Sequence, residues 1–457
     1  MNLLVKDKRF YKKMAVIAIP ISLQSMITIG VNMTDTVMVG KLGETSLSAT
    51  ALANQFVNIY QICCMGIAMG ASVLTSRFWG MRDITSLKKT ITLMLRLCIV
   101  LAVLFMLPTI LIPQLLMRMY TNDSAVIAQG VQYFKWMVYC YFLQGMTMTC
   151  TIVLRSVGQV NFPLFTSIGS FFVNILFNYM FIFGRLGVPR MEVEGAGVGT
   201  LIARVFEFSL ICGYFLLVDR KIGYRLKDLR MKCNSLIKDY VSISIPVFVS
   251  DSLLALGTSA VAMVMGRIGT GFVSANSITV VTQQLTTVII QGICHASCIM
   301  TGHTLGHGER EKAQQQAWTF LILGLVVGIL GGGLIKVLSR PIIGLYNITP
   351  ETAQIAGELM DAIAFIVIFQ SMNSILTKGV LRGGGDTKFL MVADIIFLWA
   401  ASLPLGILAG LVWHLDAFWI YVFLKIDQIC KSIWCVFRLR SGKWIKTFSK
   451  EKMNHAQ

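Results

Sequence analysis

Twelve apolar runs, each long enough to cross a bilayer as a helix, leave this chain few ways to fold. They cover residues 14–39, 48–75, 90–112, 131–155, 161–184, 196–218, 241–266, 273–300, 316–338, 357–381, 388–412 and 417–437. A hydrocarbon core takes about 20 helical residues to span, and a helix satisfies its own backbone where no water can. The expected fold is therefore an all-α polytopic membrane protein. Composition agrees: 55% of the 457 residues are hydrophobic and 14% are charged, whereas a soluble domain carries about 25% charged residues. Lys6, Lys8, Arg9, Lys12 and Lys13 precede the first run. That run has full length and no small-residue cleavage site, so it is expected to stay in the membrane.

On a soluble chain the formal charge of +18 would suggest nucleic acid. Here it is expected at the cytoplasmic face against anionic membrane lipid, with no nucleic-acid partner. With the N-terminus inside, 27 of the 40 Lys and Arg fall on inside segments and 7 on outside loops. Both termini are then cytoplasmic. The longest polar stretch, DRKIGYRLKDLRMKCNSLIKDY at 219–240, is expected to form a basic helix along the cytoplasmic membrane surface. Ten of the eleven cysteines lie inside apolar runs, without disulfide or zinc spacing. They read as small packing residues.

The runs are also duplicated. Pro20 to Gly43 reads PISLQSMITIGVNMTDTVMVGKLG, and 226 residues later Pro246 to Gly269 reads PVFVSDSLLALGTSAVAMVMGRIG. The same offset relates Ser48-Ala49 to Ser274-Ala275, Thr75 to Thr301 and Gly80 to Gly306. An offset of 227 relates Leu154-Arg155-x-x-Gly158 to Leu381-Arg382-x-x-Gly385. Each half holds six helices, an even number, so the two repeats run parallel about an axis along the membrane normal. The expected organisation is an N-lobe over 1–218, a basic cytoplasmic linker over 219–240, and a C-lobe over 241–457 with a basic tail. A central cavity between the lobes would carry the substrate. The acid is not copied: Asp35 stands where the second repeat has Val261. A carboxylate inside a bilayer costs ~2.5–3.5 kcal/mol on insertion scales and is usually functional.

In order and spacing, several segments resemble the multidrug and toxic compound extrusion (MATE) transporters. They are the proline-led first helix ending in DTVMVGKLG, then GASVLTSRFWGMRD, LRSVGQVNFP, NILFNYMFIFG, VEGAGVGTLIAR and LRGGGDTKF. The resemblance covers nearly the whole chain. It implies a bacterial multi-pass protein of the cytoplasmic membrane: an antiporter that exports small organic, often cationic, compounds, driven by Na⁺ or H⁺. No cofactor and a monomeric state are expected.

Gln24, Asn32 and Asp35 share about 80° of arc on the first helix. Asn174 and Asn178 stand four apart on the fifth. A carboxylate facing amide oxygens can bind Na⁺ through hard ligands, or can carry a proton. The resemblance implies that Asp35, Asn174 and Asn178 form the cation site of the N-lobe; some members have an Asp in place of Asn178. The C-lobe offers Asp251, opposite Ser25 in the repeat, with Asp394 and Lys378, as a second cation or substrate site. Lys378 could snorkel to the interface or pair with one of these acids. Arg204 and Glu207 can meet on one helix face, whereas Lys425 and Asp427, two apart, need other partners. Glu207 and Asp427 are assigned to packing and gating. Arg155 and Arg382, in matching frames, are expected to brace their loops at the gate. Pro20 interrupts the hydrogen-bond ladder of the first helix and eases bending there.

Other chemistry finds little support. His303 and His307 stand four apart, but no further metal ligand is near in sequence, and no metal beyond Na⁺ is expected. LRGGGDT lacks the lysine-serine of a phosphate loop. No catalytic triad or acid pair is visible, so neither an enzyme nor a receptor is favoured. A flippase for lipid-linked oligosaccharides is the main rival, because distantly related families share this architecture.

Overall fold

The computed structural model describes residues 4–185, 187–344 and 348–447, and these form helices and loops without a strand. The last part of the basic tail, from residue 448, lies outside the described residues. The first repeat contributes α1 (Lys8–Gly40), α2 (Glu44–Gly80), α3 (Ile84–Leu111), α4 (Ser124–Ser156), α5 (Asn161–Phe183) and α6 (Glu192–Gly213). The second contributes α7 (Asn234–Ile268), α8 (Thr270–Gly306), α9 (Arg310–Ile343), α10 (Pro350–Ser374), α11 (Thr387–Asp394) and α12 (Ala417–Leu424 and Ile426–Arg440). Wider π-helical turns prolong α6 over Tyr214–Val218 and α10 over Ile375–Leu381, and interrupt the continuation of α11 as far as residue 412. Eleven of these helices, with their continuations, are long and apolar enough to cross a membrane. The remaining one, α12, breaks at Lys425 and carries Asp427, Lys431, Arg438 and Arg440.

Several helices begin one or two turns before their apolar runs, because polar residues cap them. Asp83 accepts from the Ser86 N–H at 3.0 Å and starts α3. Asp123 accepts from the Ala125 N–H at 2.8 Å and starts α4. Thr349 caps α10 with Pro350 at its first position. Such caps satisfy end N–H groups that an apolar run cannot.

The linker departs from expectation. Residues 219–240 do not form one surface helix: the chain turns through Gly223 at φ +61°, makes a 3-10 turn over Leu226–Arg230, and only then enters α7. Of its basic residues Arg225 is spent on backbone carbonyls, while Arg220, Lys221, Lys227, Arg230, Lys232 and Lys238 are exposed, and two cations of α3 hold further linker carbonyls. The Arg225 guanidinium donates to the carbonyls of Leu216, Asp219 and Tyr224 at 2.9, 3.2 and 3.0 Å. Lys88 donates to the Gly223 carbonyl at 2.6 Å and to Asp228 at 2.9 Å, and Arg96 holds the carbonyls of Leu229 and Met231. Burial alone would raise the pKa of Asp228. The hydrogen bonds from Lys88 and the Arg225 N–H outweigh it and hold the carboxyl below its ordinary value.

Two compact units result, one of residues 23–244 and one of 1–22 with 245–457. The cuts fall inside α1, beside Pro20, and inside α7, beside Pro246. Each unit thus takes the opening turns of the other repeat's leading helix. In the second unit Phe10 packs on Phe320 at 5.2 Å, and a side chain at Gly292 would collide with the Ala18 carbonyl at 2.5 Å. In the first, a side chain at Gly70 would meet Ser244 Cα at 2.6 Å. Glycine at both places lets helix backbones approach as closely as membrane packing allows.

Candidate functional site

The unit of residues 23–244 holds an open cavity of ≈ 400 Å³ between α1, α2, α4, α5 and α6. Volumes of this order suit small organic ligands. Asp35 and Asn32 reach it from α1, Asn174 from α5, and Arg204 and Glu207 from α6.

The close approach of α6 to α5 sets the site. In VEGAGVG, a side chain at Gly195 would lie 2.6 Å from the Phe181 carbonyl carbon, and one at Gly199 would overlap the Asn178 amide oxygen. Gly197 faces the other way, toward Trp136 and the Tyr133 carbonyl on α4. This glycine spacing was part of the family resemblance, yet its part in seating Asn178 was not legible from sequence. With α6 so close, Asn174 and Asn178 are 2% and 1% exposed. Asn178 Nδ2 donates to Asp35 Oδ1 at 2.6 Å and to Asn174 Oδ1 at 3.3 Å. The three residues read as one cation site are therefore in contact. Asn178 Oδ1 is buried and accepts no hydrogen bond.

Gln24 leaves this group despite sharing its face of α1. It donates to Ser167 Oγ at 2.8 Å and accepts from Arg155, so α4 holds α1 one turn beyond Pro20. Arg204 and Glu207 pair at 2.8 Å. In the cavity lining, Asp35 is the one charged residue without an ion-pair partner.

In the other unit the two acids read as a second site already have cations. Arg382 grips Asp251 with both terminal nitrogens, at 3.1 and 3.5 Å. This repeats the N-lobe arrangement, an arginine of the same frame holding the leading helix just beyond its proline, but with a carboxylate in place of an amide. Asp394 accepts from Ser250 and pairs with Lys431 at 3.0 Å. Lys431 also pairs with Asp427 at 3.1 Å, one turn away on α12. Asp427 further accepts from Gln428 at 2.8 Å, and Gln428 accepts from Asn373. Sequence reasoning left Lys431 without a role, although its spacing of four from Asp427 was a usable signal. Lys378 pairs with neither Asp251 nor Asp394; it is exposed in the π-helical turn of α10, with no carboxylate within ion-pair distance among the described residues. His303 and His307 end α8, and His307 continues the chain as its cap.

Comparisons with known proteins agree with this architecture. The MatE family model matches residues 20–180 and 246–429. These stretches begin at the two prolines that open the repeats. The chain is 25% identical over 419 residues to the uncharacterized transporter YisQ of Bacillus subtilis, covering 90% of each chain. It is 23% identical over 441 residues to a probable multidrug resistance protein, NorM, of Thermotoga maritima, covering 95% of this chain and 93% of that one. Its fold matches a solved MOP superfamily transporter from Pyrococcus furiosus with TM-score 0.83 at 19% identity, over 97% of this chain and 100% of that one. Matched through both of its repeats, the chain belongs to the MatE family, whose members are transporters and not enzymes.

Proposed function

We propose that the chain is an antiporter of the cytoplasmic membrane, exporting small organic cations in exchange for Na⁺ or H⁺ bound at Asp35. The observation that carries the reading is the charge balance of the cavity. Arg204 and Glu207 neutralise one another, leaving Asp35 with a single unmatched negative charge. One carboxylate can neutralise one monovalent cation. A coupling ion and an organic cation therefore compete for it, and the binding of either weakens the other by the same factor. That competition is the thermodynamic condition for exchange.

Asn178 serves the ionised form, since its amide donates to the carboxylate. Its buried oxygen is the natural ligand for a cation or a carboxyl proton if the amide turns over. Neutralising Asp35 removes the cost of a charge in a low-dielectric setting and shifts the preferred packing of α1. Pro20 supplies no N–H to the helix ladder, so bending there is cheap and re-aims the segment that carries Asp35. The two repeats would then expose the cavity alternately to each side. The excess of Lys and Arg on inside segments supports cytoplasmic termini. A flippase for lipid diphosphates would want unpaired cations in the cavity, and Arg204 is paired.

The test uses purified protein in lipid vesicles, with Na⁺ and H⁺ gradients imposed separately and a panel of organic monocations outside. Uptake under one gradient, lost when that gradient is dissipated, is expected. Absence of movement under either gradient overturns the reading.

A further inference from the structure

The cavity is unusually rich in carboxamides. Asn32 of α1, Gln55, Asn58 and Gln61 of α2 and Gln144 of α4 all line it. None of these five side chains makes a hydrogen bond within the protein among the described residues. Asn58 and Gln61 fall within about 60° of arc on α2, together with Asn54, which is engaged by Tyr133 at 3.2 Å. Only Tyr133 and Phe171 bring aromatic rings to the lining.

Asn32, Gln55 and Asn58 are exposed to the cavity and Gln61 and Gln144 are half-buried, so water can satisfy these amides, and a ligand that displaces it without replacing its hydrogen bonds leaves them unpaired at a cost. Each offers two N–H donors and one acceptor oxygen at fixed positions. Two rings give little platform for stacking flat aromatic cations. Resting on the transport reading above, we infer that the cavity selects small organic monocations bearing several hydroxyl, amide or carbonyl groups, of aminosugar, nucleoside or peptide-like chemistry. Asp35 takes the charge, and the amides of α2 and α4 take the polar groups. A lipophilic aromatic cation without such groups leaves the amides dehydrated and unpaired, and a site built for hydrogen bonds rejects such a ligand strongly.

Two monocations separate the possibilities. Puromycin carries hydroxyl and amide groups, and tetraphenylphosphonium carries none. Equilibrium binding to the purified full chain is measured beside gradient-driven uptake into vesicles. Puromycin is expected to bind at least about tenfold more tightly. Asn58→Leu and Gln61→Leu should each lower the puromycin to tetraphenylphosphonium binding ratio by about five- to tenfold, the weight of one hydrogen bond. Equal or tighter binding of tetraphenylphosphonium overturns the inference, as does an unchanged ratio in both variants. If puromycin binds with the expected preference but neither gradient moves it, the amide site stands and the transport reading falls. If puromycin does not bind while tetraphenylphosphonium is transported, the transport reading stands and the inferred substrate class falls.

Discussion

Replacing Lys431 by Met should damage the fold more than removing either acid beside it. The ammonium is 2% exposed, Asp427 is 2% and Asp394 is 7% exposed. One cation therefore serves two carboxylates at 3.1 and 3.0 Å. Methionine keeps the length and apolar stem of the side chain but strands both carboxylates. Removing one partner of a buried ion pair costs about 3–5 kcal/mol. Asp394→Asn or Asp427→Asn leaves a neutral Lys–Asp pair and an amide that can still accept, so each should cost about 1–2 kcal/mol. For a unit of some two hundred residues, each kcal/mol shifts the midpoint by roughly 2–4 °C, which puts Lys431→Met about 6–20 °C below the parent. The assay is thermal unfolding in detergent, read by a thiol-reactive fluorophore. Most of the eleven cysteines are buried, Cys435 beside this network among them, and react only as helices part. The reasoning is refuted if Lys431→Met unfolds within about 1 °C of the parent, or if Asp427→Asn is equally harmful.

Three further outcomes follow from the same geometry. Arg382→Met leaves Asp251 without its cation and should cost about 3–5 kcal/mol, whereas Arg155→Met removes only a bond to the neutral Gln24 and should cost about 1–2 kcal/mol; the thiol assay ranks them. Gly199→Ala forces a methyl group against Asn178, costs about 1–3 kcal/mol of overpacking, and should cut gradient-driven uptake more than Gly213→Ala, whose added carbon meets nothing. The carboxyl of Asp228 is held below its ordinary pKa by Lys88, so its contribution is present above the unfolded value near ~3.9 and is lost as pH falls through and below it; limited proteolysis should cut the linker faster at pH 3.5 than at pH 6, and Lys88→Met should remove much of that difference.

The helices and their duplication were legible because apolar length and a fixed offset are properties of the linear chain. So was the meeting of Asp35 with Asn174 and Asn178, since spacing put each group on one face and the resemblance paired the faces. What failed to show depends on contacts between helices far apart in sequence. Gln24 shares the face of Asp35 but turns to Arg155, 131 residues away. Asp251 finds Arg382 across the same distance, and Lys378, the nearer guess, stays unpaired. The linker looked helical by composition, yet it turns through Gly223 at positive φ, and Arg225 with Lys88 and Arg96 of α3 holds its carbonyls in that turn. The passage of α1 and α7 from one unit to the other has no linear signature beyond the two prolines. Small residues at Gly195 and Gly199 were visible, but their purpose required knowing which helix they face.

The central claim is that Asp35 carries the coupling charge, and Asp35→Asn tests it with little change of shape. The decisive measurement compares this variant with the parent in vesicles, scoring uptake of an organic monocation under imposed Na⁺ and H⁺ gradients and the gradient dependence of its binding. The account predicts that the variant folds, loses at least about tenfold of gradient-driven uptake, and binds the cation with an affinity no longer altered by Na⁺ or pH. Full gradient-driven uptake by Asp35→Asn would contradict it.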